Sequence, residues 1–300
     1  MPSTTSSYSS GQLPANRFGS YQIEGVLGEG AVARVYRAKD SRGRTVALKV
    51  LTPAAAAQRH LRALFQLEYR TLTRLHHRGI IQVYDAGEVN GVPYLAMELV
   101  EGETLEDFLL RSKTIGEAAA IDIIRQVAQA LDYLHEQGFV HRDIKTSNIM
   151  LTRDGRALLF DFGTVFEIGN PPEHEVGIYG TPAFLAPEQI VPDQSVDGRA
   201  DLYALGIVLY RMLSGRKPFY GGRSEVLDAH VNEPPPPPSE FHWVSPELES
   251  IILKAIAKKP EDRFQTGQEL VDALTSARLE PEPPKPELAQ RLFGWLRAGS

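Results

Sequence analysis

Between positions 58 and 75, Leu61, Leu64, Phe65, Leu72 and Leu75 recur at the spacing of one face of an α-helix. Glu68 falls inside that stripe, four residues after Leu64 and four before Leu72. A carboxylate on a core-facing stripe is costly unless a cation meets it there. The fold must therefore bring a basic side chain from elsewhere in the chain against this helix. Thr45-Val46-Ala47-Leu48-Lys49-Val50 reads as an apolar strand with one charge, Lys49, alternating with Ala47 and Leu51. Taken alone Lys49 is an ordinary exposed strand lysine; beside Glu68 it becomes the obvious partner. Breaking such a pair by removing one member costs ~3–5 kcal/mol.

The segments around this pair are strand-like. Tyr21, Ile23 and Val26-Leu27 lead into Gly28-Glu29-Gly30-Ala31-Val32-Ala33-Arg34-Val35, and Asp40-Ser41-Arg42-Gly43 reads as a hairpin turn before Thr45. Two glycines two residues apart let a backbone approach a ligand and offer amides to phosphates, although many hairpin turns look alike. Their place between two strands argues against a dinucleotide-binding turn, which opens a helix. Ile80–Tyr84 and Pro93–Leu99 predict two more strands, with a turn at Glu88–Gly91. Near residue 101 the pattern changes from β to α, which marks a boundary between two lobes. Ile121, Ile124, Val127, Ala128, Leu131 and Leu134 predict a helix ending at Gly138, and residues 201–213 are apolar nearly all round, as in a buried core helix. Asp201 at its start can cap that helix or hold a neighbouring loop. Leu248, Ile251, Ile252, Ala255 and Ile256 predict another helix, and Leu270 and Leu274 a last one. Pro234–Pro238 reads as a stiff surface loop in preference to a docking ligand.

His141-Arg142-Asp143-Ile144-Lys145-Thr146-Ser147-Asn148 sits between the apolar runs Phe139-Val140 and Ile149-Met150-Leu151. In so short a loop Asp143, Lys145 and Asn148 face one small volume. A carboxylate to receive a hydroxyl proton, an ammonium for phosphoryl oxygens and an amide oxygen for a metal ion suit a transferring phosphate, whereas an ordinary solvated loop would be the bland alternative. Asp161-Phe162-Gly163 after the strand Leu158–Phe160 places a second carboxylate where a metal could lie. The polar stretch that follows runs ~20 residues to Gly180, too long for a plain connector.

Composition narrows the class. The net charge of −6 argues against non-specific nucleic-acid binding, and the lack of cysteine excludes disulfides, thiolate metal sites and cysteine nucleophiles. No run reaches the ~18 apolar residues of a membrane span, so a cytoplasmic protein is expected. Residues 1–17 are rich in Ser, Thr, Gly and Pro and are expected to form a disordered tail. Residues 279–300 are expected to be a Pro-rich linker and a short amphipathic helix carrying Leu288, Leu292, Trp295 and Leu296. That helix would dock on this chain itself, on a partner or on a membrane surface, the last being weakest with Arg291 and Arg297 as its cations.

Taken in order, these pieces resemble the eukaryotic-like (Hanks-type) protein kinases, most closely the bacterial serine/threonine branch. The resemblance rests on Gly28-x-Gly30, Val46-Ala47-Leu48-Lys49, Glu68, His141-Arg142-Asp143 with Asn148, Asp161-Phe162-Gly163, Ala186-Pro187-Glu188, Asp201-x-Tyr203-x-x-Gly206 and Arg263. It implies an α+β bilobal kinase fold: a small β-rich lobe with one main helix (18–100) and a larger, mainly helical lobe (101–278). It implies ATP and Mg2+, with Mn2+ as an alternative, and protein substrates with Ser/Thr acceptors. Leu27, Gly28, Glu29, Gly30, Ala31, Val35, Ala47, Met97, Glu98, Val100 and Met150 would surround the nucleotide. Lys49, positioned by Glu68, would hold the α- and β-phosphates; Asn148 and Asp161 would bind the metal. Lys145 would steady the γ-phosphate, and Asp143 would orient or deprotonate the acceptor hydroxyl. Glu188 and Arg263 would pair, and Asp201 would support the His141-Arg142 backbone. Lys145 and Thr181 point to Ser/Thr over Tyr acceptors. The resemblance also admits a nucleotide-binding scaffold without turnover, although the lysine and both aspartates such modules usually lose are present. A small-molecule phosphotransferase on a related fold is the other rival.

Three departures stand out. Ala33 replaces the third glycine of the phosphate loop. Thr146 replaces a common proline, with little consequence expected. Between Asp161 and Gly180 the only hydroxyl side chains are Thr164 and Tyr179, so Glu173 or Glu175 is expected to pair with Arg142 in place of a phosphorylated residue.

Overall fold

A computed structural model of the chain describes residues 16–169 and 180–280. The first lobe is one antiparallel sheet with two helices. Its elements are β1 (Arg17–Phe18), β2 (Tyr21–Glu29), β3 (Ala33–Lys39), β4 (Thr45–Leu51), α1 (Pro53–Ala56), α2 (Arg59–Leu72), β5 (Val83–Val89) and β6 (Val92–Glu98). The sheet order is β1-β2-β3-β4-β6-β5. Asp40 closes the β3–β4 turn by accepting the N–H groups of Arg42 and Arg44, each at 2.9 Å. Asn90 and Gly91, both at positive φ, form the two-residue β5–β6 turn that such a dipeptide favours.

β4 is buried on both faces. Val46, Leu48 and Val50 pack outward with Phe18, Tyr21, Tyr36, Ala38 and Ala96. Leu51 on the other face joins the main core with Phe65 and Leu72 of α2. The register sets Val35 opposite Lys49, Lys49 opposite Leu95 and Ala47 opposite Met97. Side chains directly opposite share a face, so Val35, Ala47, Lys49 and Met97 look to the same side. The strand expected from Ile80 begins only at Val83. Ile80 bridges to Leu159 instead, and the Ile81 N–H donates to the Leu159 carbonyl at 2.9 Å, so these residues tie the two lobes together.

The second lobe comprises β7 (Gly102–Thr104), α3 (Leu105–Ser112), α4 (Glu117–Glu136), β8 (Phe139–Val140), β9 (Ile149–Thr152), β10 (Ala157–Leu159), β11 (Phe166–Glu167), α5 (Pro187–Ile190), α6 (Gly198–Ser214), α7 (Arg223–Asn232), α8 (Pro246–Ala255) and α9 (Gly267–Ser276). β7, β9 and β10 form one small sheet and β8 pairs with β11. α6 is its axis, buried continuously from Ala200 to Tyr210. At Gly206 the neighbouring segment comes so close that an added Cβ would lie 2.7 Å from Ile256. Of the two roles open to Asp201, the structure selects loop support: the α6 N-cap is Asp197, which accepts from the Arg199 N–H. The polyproline run packs as a surface loop, with Tyr210 Oη donating to the Pro236 carbonyl and Pro238 buried. No helix among the described residues is long and apolar enough to cross a membrane. The N-terminal tail, the segment carrying Glu173 and Glu175, and the amphipathic stretch after residue 280 lie outside the described residues.

Candidate active site

The loop after β8 is held from below by α6. Asp201 accepts the His141 and Arg142 N–H groups, each at 2.8 Å, through its two carboxylate oxygens. His135 Nε2 lies 2.8 Å from the same carboxylate. Burial works to raise the Asp201 carboxyl, but His135 and the loop backbone outweigh it and hold the group below its ordinary value. His141 is fully buried, which lowers its imidazole pKa, and its ring packs 4.7 Å from that of Phe162. Arg142 and Asp161 both take positive φ, a conformation that non-glycine residues keep only where surroundings enforce it. The Thr164 hydroxyl donates to the His141 carbonyl at 3.0 Å and Gln189 Nε2 to the Arg142 carbonyl at 3.1 Å, which supplies part of that enforcement. Arg142 Nε donates to the Thr164 carbonyl at 2.7 Å, with its guanidinium 4.7 Å over the Phe166 ring.

Asp143 is the hub of the loop. Its Oδ1 accepts both the N–H and the hydroxyl of Thr181 at 2.9 Å, while its Oδ2 accepts Lys145 Nζ at 2.5 Å. Lys145 also donates to Thr181 Oγ1 at 3.0 Å. Asn148 Nδ2 donates to the Asp143 backbone carbonyl at 2.9 Å. Gly180, at φ +107°, lets the Thr181 segment approach: a Cβ there would come 2.9 Å from the Arg142 carbonyl oxygen.

The second cluster lies under the sheet. Lys49 Nζ reaches the two Glu68 oxygens at 2.8 and 3.0 Å and Asp161 Oδ1 at 3.0 Å. The partner that the Glu68 stripe demanded is thus in place; the contact with Asp161, 112 residues along the chain, is additional. Burial alone would depress Lys49, but the Glu68 and Asp161 charges outweigh it and keep the ammonium protonated. Lys49 in turn holds Asp161 below the usual carboxylate range, against burial. A divalent cation would find hard oxygen donors here. Asp161 is anionic and 47 % exposed, and Asn148 spends its amide N–H on Asp143, leaving its carbonyl oxygen without a donor among the described residues. That donor set fits Mg2+.

Leu27, Gly28, Glu29, Gly30 and Ala31 form the end of β2 and the turn into β3. An added Cβ at Gly28 would meet nothing, so its backbone is open to a ligand, and the Gly30 N–H closes the turn on the Ala33 carbonyl at 2.9 Å. Ala33 is already in β3, paired with Leu51, which explains why a residue with a Cβ is accommodated where the family has glycine. Val35, Ala47 and Met97 line the sheet side of the cleft, Glu98 and Val100 lead out of β6, and Met150 comes from β9. Below the Thr181 segment, Arg263 and Glu188 form a buried bidentate pair at 2.7 and 2.8 Å. Sequence reasoning gave Thr146 little weight. It is buried, and its hydroxyl donates to Glu106 of α3, whose other oxygen accepts Arg211 of α6 at 2.9 Å.

A sheet lobe over a helical lobe, with a lysine–glutamate pair facing an Asp–Lys–Asn loop across the cleft, is the build of a phosphate-transferring kinase. Residues 21–273 match the protein kinase domain model, and the chain belongs to the protein kinase family, in its bacterial serine/threonine branch. It is 39 % identical over 260 residues to the serine/threonine-protein kinase PknB of Mycolicibacterium smegmatis, covering 83 % of this chain and 41 % of that protein. It is 38 % identical over 267 residues to the probable serine/threonine-protein kinase SCO3848 of Streptomyces coelicolor, covering 86 % of this chain and 40 % of the relative. With PknB of Mycobacterium tuberculosis it shares 37 % identity over 282 residues, or 91 % of this chain and 45 % of that one. The match thus spans less than half the length of these relatives.

Proposed function

We propose that this chain is an ATP-dependent protein kinase that transfers the γ-phosphate to Ser and Thr hydroxyls of proteins, its own included, with residues 18–278 as the kinase domain. The observation that carries the reading is the arrangement of Asp143: one carboxylate holding Lys145 and Thr181 at hydrogen-bond distance, with Asn148 on its backbone and Asp161 across the cleft. An acceptor hydroxyl entering beside Asp143 gives up its proton toward that carboxylate as its oxygen attacks phosphorus. Lys145 neutralises the charge that develops on the phosphoryl oxygens. Lys49, fixed by Glu68, orients the α- and β-phosphates, and the Gly28–Gly30 backbone covers them. Met97, Glu98 and Val100 frame the adenine. Bound Mg2+, held by Asp161 and the Asn148 carbonyl oxygen, supplies charge neutralisation and in-line orientation of the phosphates.

The relatives named as serine/threonine-protein kinases and the Lys145–Thr181 contact support Ser/Thr acceptors, and dependence on ATP supports work in the cytoplasm. Incubation with γ-labelled ATP, Mg2+ and a generic protein acceptor, followed by phosphoamino-acid analysis, tests the reading. Label on phosphoserine or phosphothreonine is expected. Nucleotide binding without any transfer, to acceptor or to the chain itself, would move the chain to the scaffold class.

A further inference from the structure

Lys217, in the loop between α6 and α7, is half-buried, yet among the described residues its ammonium has no hydrogen bond and no ion pair. It lies 5.5 Å over the ring of Phe184, near the outer limit of a cation–π contact, which does not satisfy its three N–H donors. Burial and the nearby Arg211 charge both push the Lys217 pKa down, against the weaker pull of Glu106. Glu106 makes no hydrogen bond to it; its two oxygens already accept Arg211 and Thr146. The preceding residue, Arg216, is engaged separately, stacked between the rings of Tyr220 at 4.6 Å and Phe241 at 4.2 Å. Two cations, Lys217 and Arg211, thus share this spot with one occupied carboxylate, Glu106, in a chain whose net charge is −6.

The place is as telling as the charge. Phe184 ends the 3₁₀ turn Pro182–Phe184, directly after Thr181, which bonds Asp143. Lys217, packed over Phe184, therefore lies beside the segment whose Thr181 is bonded to Asp143.

We propose that Lys217, backed by Arg211, forms a subsite that reads an acidic side chain in the protein substrate near the acceptor hydroxyl. The inference rests on the kinase reading above and adds a substrate class to it. A carboxylate arriving there completes the hydrogen bonding of a partly desolvated ammonium, an interaction stronger than a surface ion pair.

A positional scan tests it, with a single Glu, Ala or Lys moved through each position of an otherwise neutral Ser/Thr acceptor peptide. In the wild-type protein one position is expected to favour Glu over Lys by about 10-fold in kcat/KM, with the ratio shrinking as salt rises. Lys217→Met should bring that ratio close to one, and Lys217→Glu should invert it. Transfer with no position favouring Glu, or a preference unchanged in Lys217→Met, overturns the subsite while leaving the kinase reading intact. Phosphate transfer to the chain itself with no peptide accepted overturns it as well. Absence of all phosphate transfer overturns the kinase reading.

Discussion

Replacing Arg263 with Met removes a buried charge whose three nitrogens are all hydrogen-bonded. Nε donates to the Ala257 carbonyl at 2.7 Å; Nη1 reaches Glu188 at 2.7 Å and the Arg199 carbonyl at 3.1 Å; Nη2 reaches Glu188 and the Lys258 carbonyl, both at 2.8 Å. Arg263 and Glu188 are 2 % and 3 % exposed. The Met variant strands the Glu188 carboxylate and three backbone carbonyls, for which ~3–5 kcal/mol is expected. That is a large share of the ~5–15 kcal/mol available to a folded protein of this kind. Glu188→Gln keeps an oxygen acceptor and should cost less, about 1–3 kcal/mol. The double variant Glu188→Leu/Arg263→Met leaves no charge buried alone, so it should be more stable than the sum of its single changes implies. Urea unfolding at neutral pH measures all three, provided the denaturant slope is unchanged. A loss below ~1 kcal/mol for Arg263→Met, or strict additivity in the double variant, would refute the reasoning.

Glu68→Gln should shift Lys49 toward Asp161, where it competes with the metal, so the Mg2+ concentration for half-maximal rate should rise several-fold, roughly 3–10-fold. An unchanged Mg2+ titration would contradict that coupling. Thr146→Val should cost about 1–3 kcal/mol in urea unfolding, because the Glu106 oxygen it leaves has lost a donor, whereas Thr146→Ser should restore stability. His230 is buried and its pKa is lowered to about 4 from an ordinary 6.5. The folded state therefore keeps it neutral while the unfolded chain takes up a proton. Its contribution is whole above pH ~6.5 and falls as pH drops toward 4, by up to ~3 kcal/mol. Stability followed by urea unfolding across that window should lose this slope in His230→Gln.

Much of the fold was legible because strong local patterns carried it. The charged stripe through Glu68 required Lys49, and the all-round apolar run 201–213 required a central helix. The turn expected at Glu88–Gly91 is present, narrowed to Asn90-Gly91 because β5 runs on to Val89. α7 was not legible, since its buried residues Val226, Ala229 and His230, although at helical spacing, include only one sizeable apolar side chain. α3 is eight residues long and buries only Leu105 and Leu109. Within the site, the Asp143–Lys145–Asn148 grouping followed from spacing in one short loop. The Lys49–Asp161 and Thr146–Glu106 contacts did not, because they join distant segments whose approach only the packed lobes define. Lys217 carried no signal at all in sequence; its meaning lies in the partners it lacks among the described residues.

The central claim is that Asp143 performs the transfer step and does not merely shape the cleft. Its most direct test is Asp143→Asn, which preserves size and can still meet Thr181, measured for both phosphate-transfer rate and nucleotide affinity. The account predicts a fall in kcat of ~10²–10⁴ or more with ATP affinity within a few-fold of wild type. A variant that binds ATP normally and transfers phosphate at an undiminished rate would contradict it.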